Sequence, residues 1–497
     1  MSGARATVAI IPRERFSHTY NTLQSVLKNT NIDYDLIFVD AKTPDPVNEQ
    51  IIHDLEQAEA TILKTDSYVT PNQARNLALK AANTEYIVFI DNDVLVGPRW
   101  LEALVNCADQ TGATQVGPLQ FIGDFKHQTI HIAGGYLHDR IENNQKVLYD
   151  EQKLFEAKLK SLQGPLQRTA CDYIEYHCML IRRDFLEDID GLDEQLLSVH
   201  EHIDLGLELR RQNKSVYFEP KALATYIPPQ VSSWYDLPYF EIRWSEEWTL
   251  PSVKHFREKW NYDRLGYAGE DESSNLIDDT IVKFVRGHRG SVVGTHVNAD
   301  SLDLKDGLTA AELELIVTAF LTVERTQFDV RLSDRTQSNL PAFNKESAAE
   351  LFRYFDTLAE KIKLKEVDLD IYPLAANHVK DPCLIRVGQL SLEQMLDLAE
   401  HAFLTLNAQN GSYECWFAIS LSGGNTPAVT KEFAARIGAQ LADTDSYRAI
   451  RINTQDRTSP RLERINSGQI LTENVFSALP LETLSSMMFV VGLDAEC

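Results

Sequence analysis

The chain is short of positive charge: 48 Lys and Arg stand against 73 Asp and Glu, for a net charge of −25 at pH 7 over 497 residues. A field of that sign repels phosphate backbones and anionic lipid, which argues against non-specific nucleic-acid or membrane-surface binding. An anionic substrate would need local positive groups or a metal ion. Long hydrophobic runs are also missing. Tyr86 to Ile90 and Met487 to Val491 are of strand length, far below the ~20 residues of a membrane span. The opening Met1-Ser2-Gly3-Ala4-Arg5 leads into a strand without a signal-peptide core. Cysteine is sparse, at 107, 171, 178, 383, 415 and 497, with no C-x-x-C pair and no zinc-like spacing. These are expected to be reduced, mostly buried thiols. Together the absences predict a soluble cytoplasmic protein without a transmembrane segment. What is present, 43% hydrophobic and 24% charged residues, suffices for sizeable cores and two or three domains.

The first third alternates strand and helix signals. Thr7 to Ile11 is β-rich and ends at Pro12, Leu36 to Val39 ends at Asp40, and Tyr86 to Ile90 ends at Asp91. Runs apolar throughout, separated by helical patterns, predict a largely parallel sheet covered on both faces. The helix after Pro71 is well specified, with Thr70 as N-cap, Pro71 at the first position and Gln73 completing a capping box. Ala74, Leu77, Ala78 and Ala81 then form one apolar face, and a second helix is expected from Pro98. Further on, the pattern predicts helix over 152–167 and 199–212, and strand over 173–181 and 216–218. A stretch rich in Trp, Tyr and Pro runs from Tyr226 to Trp260.

These signals divide the chain into a first domain over 1–265, an acidic linker over 266–274 and a second α/β or α+β domain over 275–497. In the second domain helices are expected over 309–324, 345–362, 391–408 and 427–442. Strands are expected over 327–333, 366–372, 413–421, 447–453 and 486–493.

The most informative segment is Phe89-Ile90-Asp91-Asn92-Asp93. Two carboxylates flanking one residue at the carboxyl end of a buried strand lie where open α/β sheets bind ligands. Hard oxygen ligands at that spacing suit Mg²⁺ or Mn²⁺ bridging to a diphosphate.

With its neighbours this segment resembles the family 2 inverting glycosyltransferases of the GT-A fold, over residues 6–228. Ala9-Ile10-Ile11-Pro12 is similar to the family's opening strand and proline, and Phe38-Val39-Asp40 with Thr43-Pro44-Asp45 to its second strand and acidic turn. Asn72-Gln73-Ala74-Arg75-Asn76 leading to Asp91-Asn92-Asp93 resembles the signature that ends in DxD. Met179 to Phe185, Gly191-Leu192-Asp193-Glu194 and Glu201-His202-Ile203-Asp204-Leu205 resemble the acceptor half.

The resemblance implies a GT-A-like domain that binds a nucleotide sugar, UDP-linked by preference, and passes the sugar to a glycan or other hydroxyl acceptor. Pro12, Asp40, Arg75 and Asp91 would bind the nucleotide, Asp40 through a base imide N–H, and Asp91 and Asp93 the metal. The competing reading of Asp40 is a cap on its own turn, and that of Arg75 a surface helical arginine.

Two positions depart from the family. Glu201-His202 stands where the family has Glu-Asp, whose aspartate is its usual base, and Tyr226 stands where a metal-ligating histidine is common. Either the metal then has fewer protein ligands, or His200 or His202 replaces the missing one. Among Glu201, His202 and Asp204, Glu201 is favoured as the base, with His202 orienting the acceptor or diphosphate and Asp204 bracing the helix. Acids in a first helical turn are also expected from the macrodipole alone.

Arg243-Trp244 matches part of the Gln-x-x-Arg-Trp motif of processive synthases, but Phe240 occupies the glutamine position. Trp234, Tyr235, Trp244 and Trp248 suit either an acceptor groove or domain packing. In the second domain, Ser422-Gly423-Gly424-Asn425-Thr426 lacks the dinucleotide and P-loop spacings, and Asp303, Asp306, Asp368 and Asp370 are spaced like solvated acids. This domain carries no motif of its own and is open to a protein partner. A degenerate transferase fold acting as a binding or scaffold module is the competing reading. A nucleotidyltransferase would need a glycine-rich basic loop after the first strand, and Pro12-Arg13-Glu14-Arg15 holds no glycine.

Overall fold

The structure is a computed structural model. It describes residues 3–13, 15–123, 125, 128–227, 236–267, 296–298, 310–323, 327–334, 343–346, 351, 367–374, 382–408, 411–420, 426–441, 450–452, 461–466, 469–472 and 488–492. The chain divides into two compact units, Met1–Val282 and Lys283–Cys497.

The first unit is an α/β layer structure. Strands β1 (Ala6–Ile11), β2 (Tyr34–Ala41), β3 (Thr61–Thr65) and β4 (Tyr86–Asp91) pair in parallel in the order β3-β2-β1-β4. Helices α1 (Thr19–Asn29), α2 (Asp45–Gln57) and α3 (Pro71–Ala81) connect them. β5 (Val94–Val96), α4 (Trp100–Thr111), β6 (Gln115–Ile122) and β7 (Thr129–Ile132) follow. A hairpin of β8 (Gly135–Glu142) and β9 (Gln145–Gln152) comes next. After it are β10 (Thr169–Cys171), β11 (Cys178–Arg182), α5 (Arg183–Asp188), α6 (Glu201–Arg211) and β12 (Val216–Tyr226). The unit ends with α7 (Leu237–Arg243), α8 (Glu246–Trp260) and β13 (Arg264–Tyr267).

The sheet continues beyond β4 as β11, β6, β12 and β10. It becomes mixed there: β11 is antiparallel to both β4 and β6, while β12 runs parallel to β6.

Strand residues alternate between two cores, as a pleat requires. Val8, Ile10, Phe38, Val88 and Ile90 pack with Leu23, Val26, Ile51, Trp100 and Leu104 on one face. Ala9, Ile11, Ile37, Val39, Ile87 and Phe89 pack with Ala74, Ala78, Leu205 and Leu209 on the other. Both faces of β1 and β4 are therefore dry, which explains their unbroken apolar runs. The register sets Ile11 opposite Asp91 and Ile10 opposite both Phe38 and Ile90. Pro12, Asp40 and Asp91 thus leave the sheet at one carboxyl edge.

The capping box of α3 is present: the Gln73 N–H donates to Thr70 Oγ1 at 3.3 Å and the Thr70 N–H to Gln73 Oε1 at 3.0 Å. That start aims α3 so that Asn76 faces the segment before α6. Asn76 Oδ1 accepts the Leu192 N–H at 2.8 Å, and Nδ2 donates to the Leu192 carbonyl at 2.8 Å and to Glu194 at 2.9 Å.

Several sequence expectations change: the strand expected over 173–181 is confined to Cys178–Arg182, and the helix expected over 427–442 stops at Arg436. No α-helix forms over 152–167, where β9 ends and one 3₁₀ turn, Leu159–Ser161, follows. Leu154, Leu159, Leu162 and Leu166 mimic helical spacing, but each packs on the cluster of Phe121, Ile130 and Phe218. The helix expected over 391–408 stops at Ala399, and Leu404–Asn407 is a strand. Two adjacent apolar patterns of different period had merged into one.

The second unit holds an eight-stranded sheet among the described residues. At its centre Cys383–Leu390, Tyr413–Ser420 and Leu404–Asn407 lie side by side and antiparallel, against the helices Leu392–Ala399 and Thr426–Arg436. The strand Cys383–Leu390 was not anticipated. A separate four-stranded sheet contains Gln327–Asp334 and Val367–Leu374. The helix expected over 345–362 and the linker beyond Tyr267 fall outside the described residues, apart from a few positions.

Asn76→Ala strands the buried Leu192 N–H and carbonyl together. At roughly 1–3 kcal/mol per unsatisfied group, the first unit should lose about 3 kcal/mol, read as a lower urea midpoint at unchanged slope.

Candidate functional site

The site is built at the carboxyl ends of β1, β2 and β4. The turn after β4 is tied down through its middle residue. The Asn92 N–H donates to the Ile11 carbonyl at 2.9 Å, Asn92 Oδ1 accepts the Arg13 N–H at 2.9 Å, and its Nδ2 donates to Thr19 at 3.1 Å. With Asn92 spent on backbone, Asp91 and Asp93 are free to point into the site, and both are buried.

Arginines occupy both carboxylates. Arg13 Nη1 donates to Asp91 Oδ2 at 2.5 Å and Arg75 Nη2 to Asp91 Oδ1 at 3.1 Å. Arg15 places Nε 2.8 Å and Nη2 2.6 Å from Asp93 Oδ2, and Nη2 also donates to the Tyr226 hydroxyl at 2.6 Å. Arg15 and Arg75 are each 1% exposed. Burial alone would raise the Asp91 carboxyl. Arg13, the His177 hydrogen bond and Arg75 outweigh it and hold the group well below the usual carboxylate range.

His177, just before β11, completes a set of three. Its Nδ1 lies 3.1 Å from Asp91 Oδ2 and 3.3 Å from Arg13 Nη1. Ligand atoms of Asp91, Asp93 and His177 all fall within 4.8 Å of one another, close enough for one metal ion. Asp93 Oδ1 is buried with no hydrogen-bond partner, and the two-carboxylate, one-imidazole donor set suits a divalent ion such as Mn²⁺. The residues fit a metal.

Tyr226 stacks on His177 at 4.0 Å with 18° between the rings, and His131 lies 5.2 Å from His177. Burial, reinforced by His177, lowers the His131 imidazole to about 3, so that ring is neutral.

Among the residues expected from sequence, Asp40 lies at the same edge. Its Oδ1 accepts the Thr43 N–H at 2.9 Å, the turn-capping role, while Oδ2 is 3.8 Å from Lys64 Nζ. Arg75 is no surface arginine: its guanidinium lies 4.4 Å from the Tyr176 ring as well as on Asp91.

The acceptor-side candidates separate. Glu201 is buried, 3.6 Å from Arg243 Nη1. Asp204 accepts from Trp260 Nε1 at 2.7 Å and from Lys259 Nζ at 2.9 Å, a brace between α6 and α8. His202 keeps 17% of its side chain exposed and sets Nε2 3.4 Å from Glu175 Oε2, with its ring beside Tyr173 at 5.3 Å. Burial would raise Glu175. His202 first, with His177 and Arg13 behind it, takes it down to about 2.

His200 is not part of the metal-sized group. Its ring packs on Phe256 at 5.3 Å, and burial lowers it to about 3. The histidine of the metal-sized group is thus His177, not His200 or His202. Trp244 is buried and Trp248 packs edge-on to Tyr239 at 6.2 Å, whereas Trp234 and Tyr235 lie outside the described residues, as do Ser422 to Asn425, Asp303 and Asp306.

Sequence reasoning missed Arg13, Arg15, Glu175 and His177. The only signal for the arginines was their position, one and three residues past a strand-ending proline. Nothing local marks Glu175 or His177.

Residues 8–190 match the family model described as Glycosyl transferase family 2. The Pre-mycofactocin glycosyltransferase of Mycobacterium tuberculosis is 25% identical over 157 residues, 31% of this chain and 30% of that protein. The match thus spans under a third of the curated relative's length. Among solved structures, the chain matches GalNAc-T7 with UDP, GalNAc and Mn2+, at 14% identity and a TM-score of 0.37 over 53% of this chain and 55% of that one. Another is S. aureus TarS 1-349 in complex with UDP-GlcNAc, at 14% identity and a TM-score of 0.34 over 64% and 81%. The part of the chain that carries the site, residues 8–190, is thus similar to the glycosyl transferases of family 2.

Proposed function

We propose that the first unit transfers a sugar, with inversion, from a nucleotide sugar to an acceptor hydroxyl. The observation that carries this reading is the buried Asp91–Asp93–His177 group, ringed by Arg13, Arg15 and Arg75 at the carboxyl edge of the sheet. Asp91, Asp93 and His177 would hold Mn²⁺ or Mg²⁺, which supplies charge neutralisation for the departing nucleoside diphosphate. Asp40, through its outer oxygen, accepts the imide N–H of a uracil base, which makes UDP the first nucleotide to test. Arg75, held on the Tyr176 face, contributes positive charge to the diphosphate.

The acceptor side supplies the base. His202, oriented by Glu175, removes the proton from the acceptor hydroxyl as that oxygen attacks the anomeric carbon, and the bond to the diphosphate breaks with its electrons. His202 is preferred to Glu201, whose carboxylate is enclosed with Arg243. Asp204 braces α6 against α8.

The scaffold reading has one observation in its favour, that both DxD acids are already paired with arginines. The two readings part on binding. A panel of nucleotide sugars with Mn²⁺ or Mg²⁺, scored by released nucleoside diphosphate, should give turnover for one donor. Absence of turnover together with absence of metal-dependent UDP binding in thermal-shift titration leaves the scaffold.

Asp93→Ala should abolish Mn²⁺-dependent UDP binding in calorimetry, with Asp303→Ala as an unaffected control. His202→Asn should lower kcat by about 100-fold or more with UDP affinity kept, while Glu201→Gln loses less. The reverse order moves the base to Glu201.

A further inference from the structure

We propose that Arg13 and Arg15 are diphosphate-binding groups, and that before the donor arrives they are the cations on Asp91 and Asp93, so that a divalent ion enters only together with the donor. The proposal rests on the nucleotide-sugar reading above and assigns roles that the family motif does not.

Placement comes first. Both arginines follow β1 directly, between the edge positions of Asp40 and Asp91. Both side chains are buried, Arg13 at 10% and Arg15 at 1% exposure. With Arg75, three guanidinium groups converge on two carboxylates. The next acid, Glu175, faces His202 instead. In a chain of net charge −25, three guanidinium groups gathered against two carboxylates at this edge are an unusual supply of cations, and guanidinium forks suit phosphate oxygens.

The carboxylates make the complementary demand. Arg15 aims Nε and Nη2 at the same oxygen of Asp93, Oδ2, and Oδ1 is buried without a hydrogen-bond partner. A metal ion alone would have to settle against Arg13 and Arg15, 2.5 and 2.6 Å from the same acids, and like charges at that range repel. A diphosphate alone would draw the arginines away and leave Asp93 facing an anion. A cation and diphosphate together satisfy both sets: arginine to phosphate, metal to carboxylate.

Tyr226 couples the two halves. Its hydroxyl accepts from Arg15 and its ring stacks on His177 at 4.0 Å. Arg15 cannot leave Asp93 without altering the contacts of the residue that lies against the third ligand.

The test is a Mn²⁺ titration of the full chain by electron paramagnetic resonance, with and without saturating UDP, repeated for Arg13→Gln, Arg15→Gln and Arg15→Lys. Circular dichroism checks folding. In the wild type, Mn²⁺ should bind at least about tenfold more tightly with UDP than alone, a coupling of about 1.4 kcal/mol. The glutamine variants should bind Mn²⁺ alone more tightly and UDP, followed by calorimetry, about tenfold or more weakly. Arg15→Lys retains the charge but not the fork, and should keep Mn²⁺ binding weak while still losing UDP affinity. Equal Mn²⁺ affinity with and without UDP in the wild type overturns the proposal, as does normal UDP binding by well-folded Arg13→Gln. Wild type that binds no nucleoside diphosphate at all overturns the donor reading instead, and the Mn²⁺-alone comparison of wild type with Arg15→Gln still judges the arginines.

Discussion

Asp91 and Asp93 can sit buried at the end of a central strand because three arginines are buried with them. An isolated carboxylate in that position would be driven to protonate. Arg13 and Arg75 on Asp91, and Arg15 on Asp93, meet the buried carboxylates with positive charge and fix their directions. Such pairs are costly to assemble and costlier to break, since removing one partner strands the other at about 3–5 kcal/mol. The arrangement contributes position more than stability: each charged group has one place where its neighbours tolerate it.

Three consecutive residues distribute this constraint across the site. Glu175 faces His202 at the start of α6, Tyr176 carries Arg75 on its ring, and His177 touches Asp91. The segment lies just before β11, which pairs with β4. The Asp91 N–H donates to the His177 carbonyl at 3.0 Å. The edge that presents the DxD acids therefore also sets the height of Glu175 and, through it, His202. Asn76 performs the same service from α3, joining the helix that carries Arg75 to the segment before α6. Asp204 then holds α6 against α8.

Much of the framework was legible from local chemistry. Apolar runs ending at Pro12, Asp40 and Asp91 are what doubly covered parallel strands require, and the capping box at Thr70 placed α3 within a residue. Half-exposed strands were not legible. In β8, His138, Asp139, Arg140 and Glu142 give no apolar alternation, and the hairpin forms by pairing with β9, which also pairs with β13. The leucines after β9 carried helical spacing, yet tertiary contact with Phe121 and Phe218 decided their conformation.

By itself the sequence determined the strand edges, the DxD turn and the helix that delivers Arg75, because periodicity, capping and short-range spacing act within a few residues. Tertiary structure decided what those acids touch. Arg15 reaches Asp93 across 78 positions and Tyr226 across 211, and His177 reaches Asp91 across 86. No local pattern encodes such pairings. They arise because burying a carboxylate is tolerable only where the fold delivers a positive group or hydrogen-bond donor to meet it, and that delivery depends on the whole sheet.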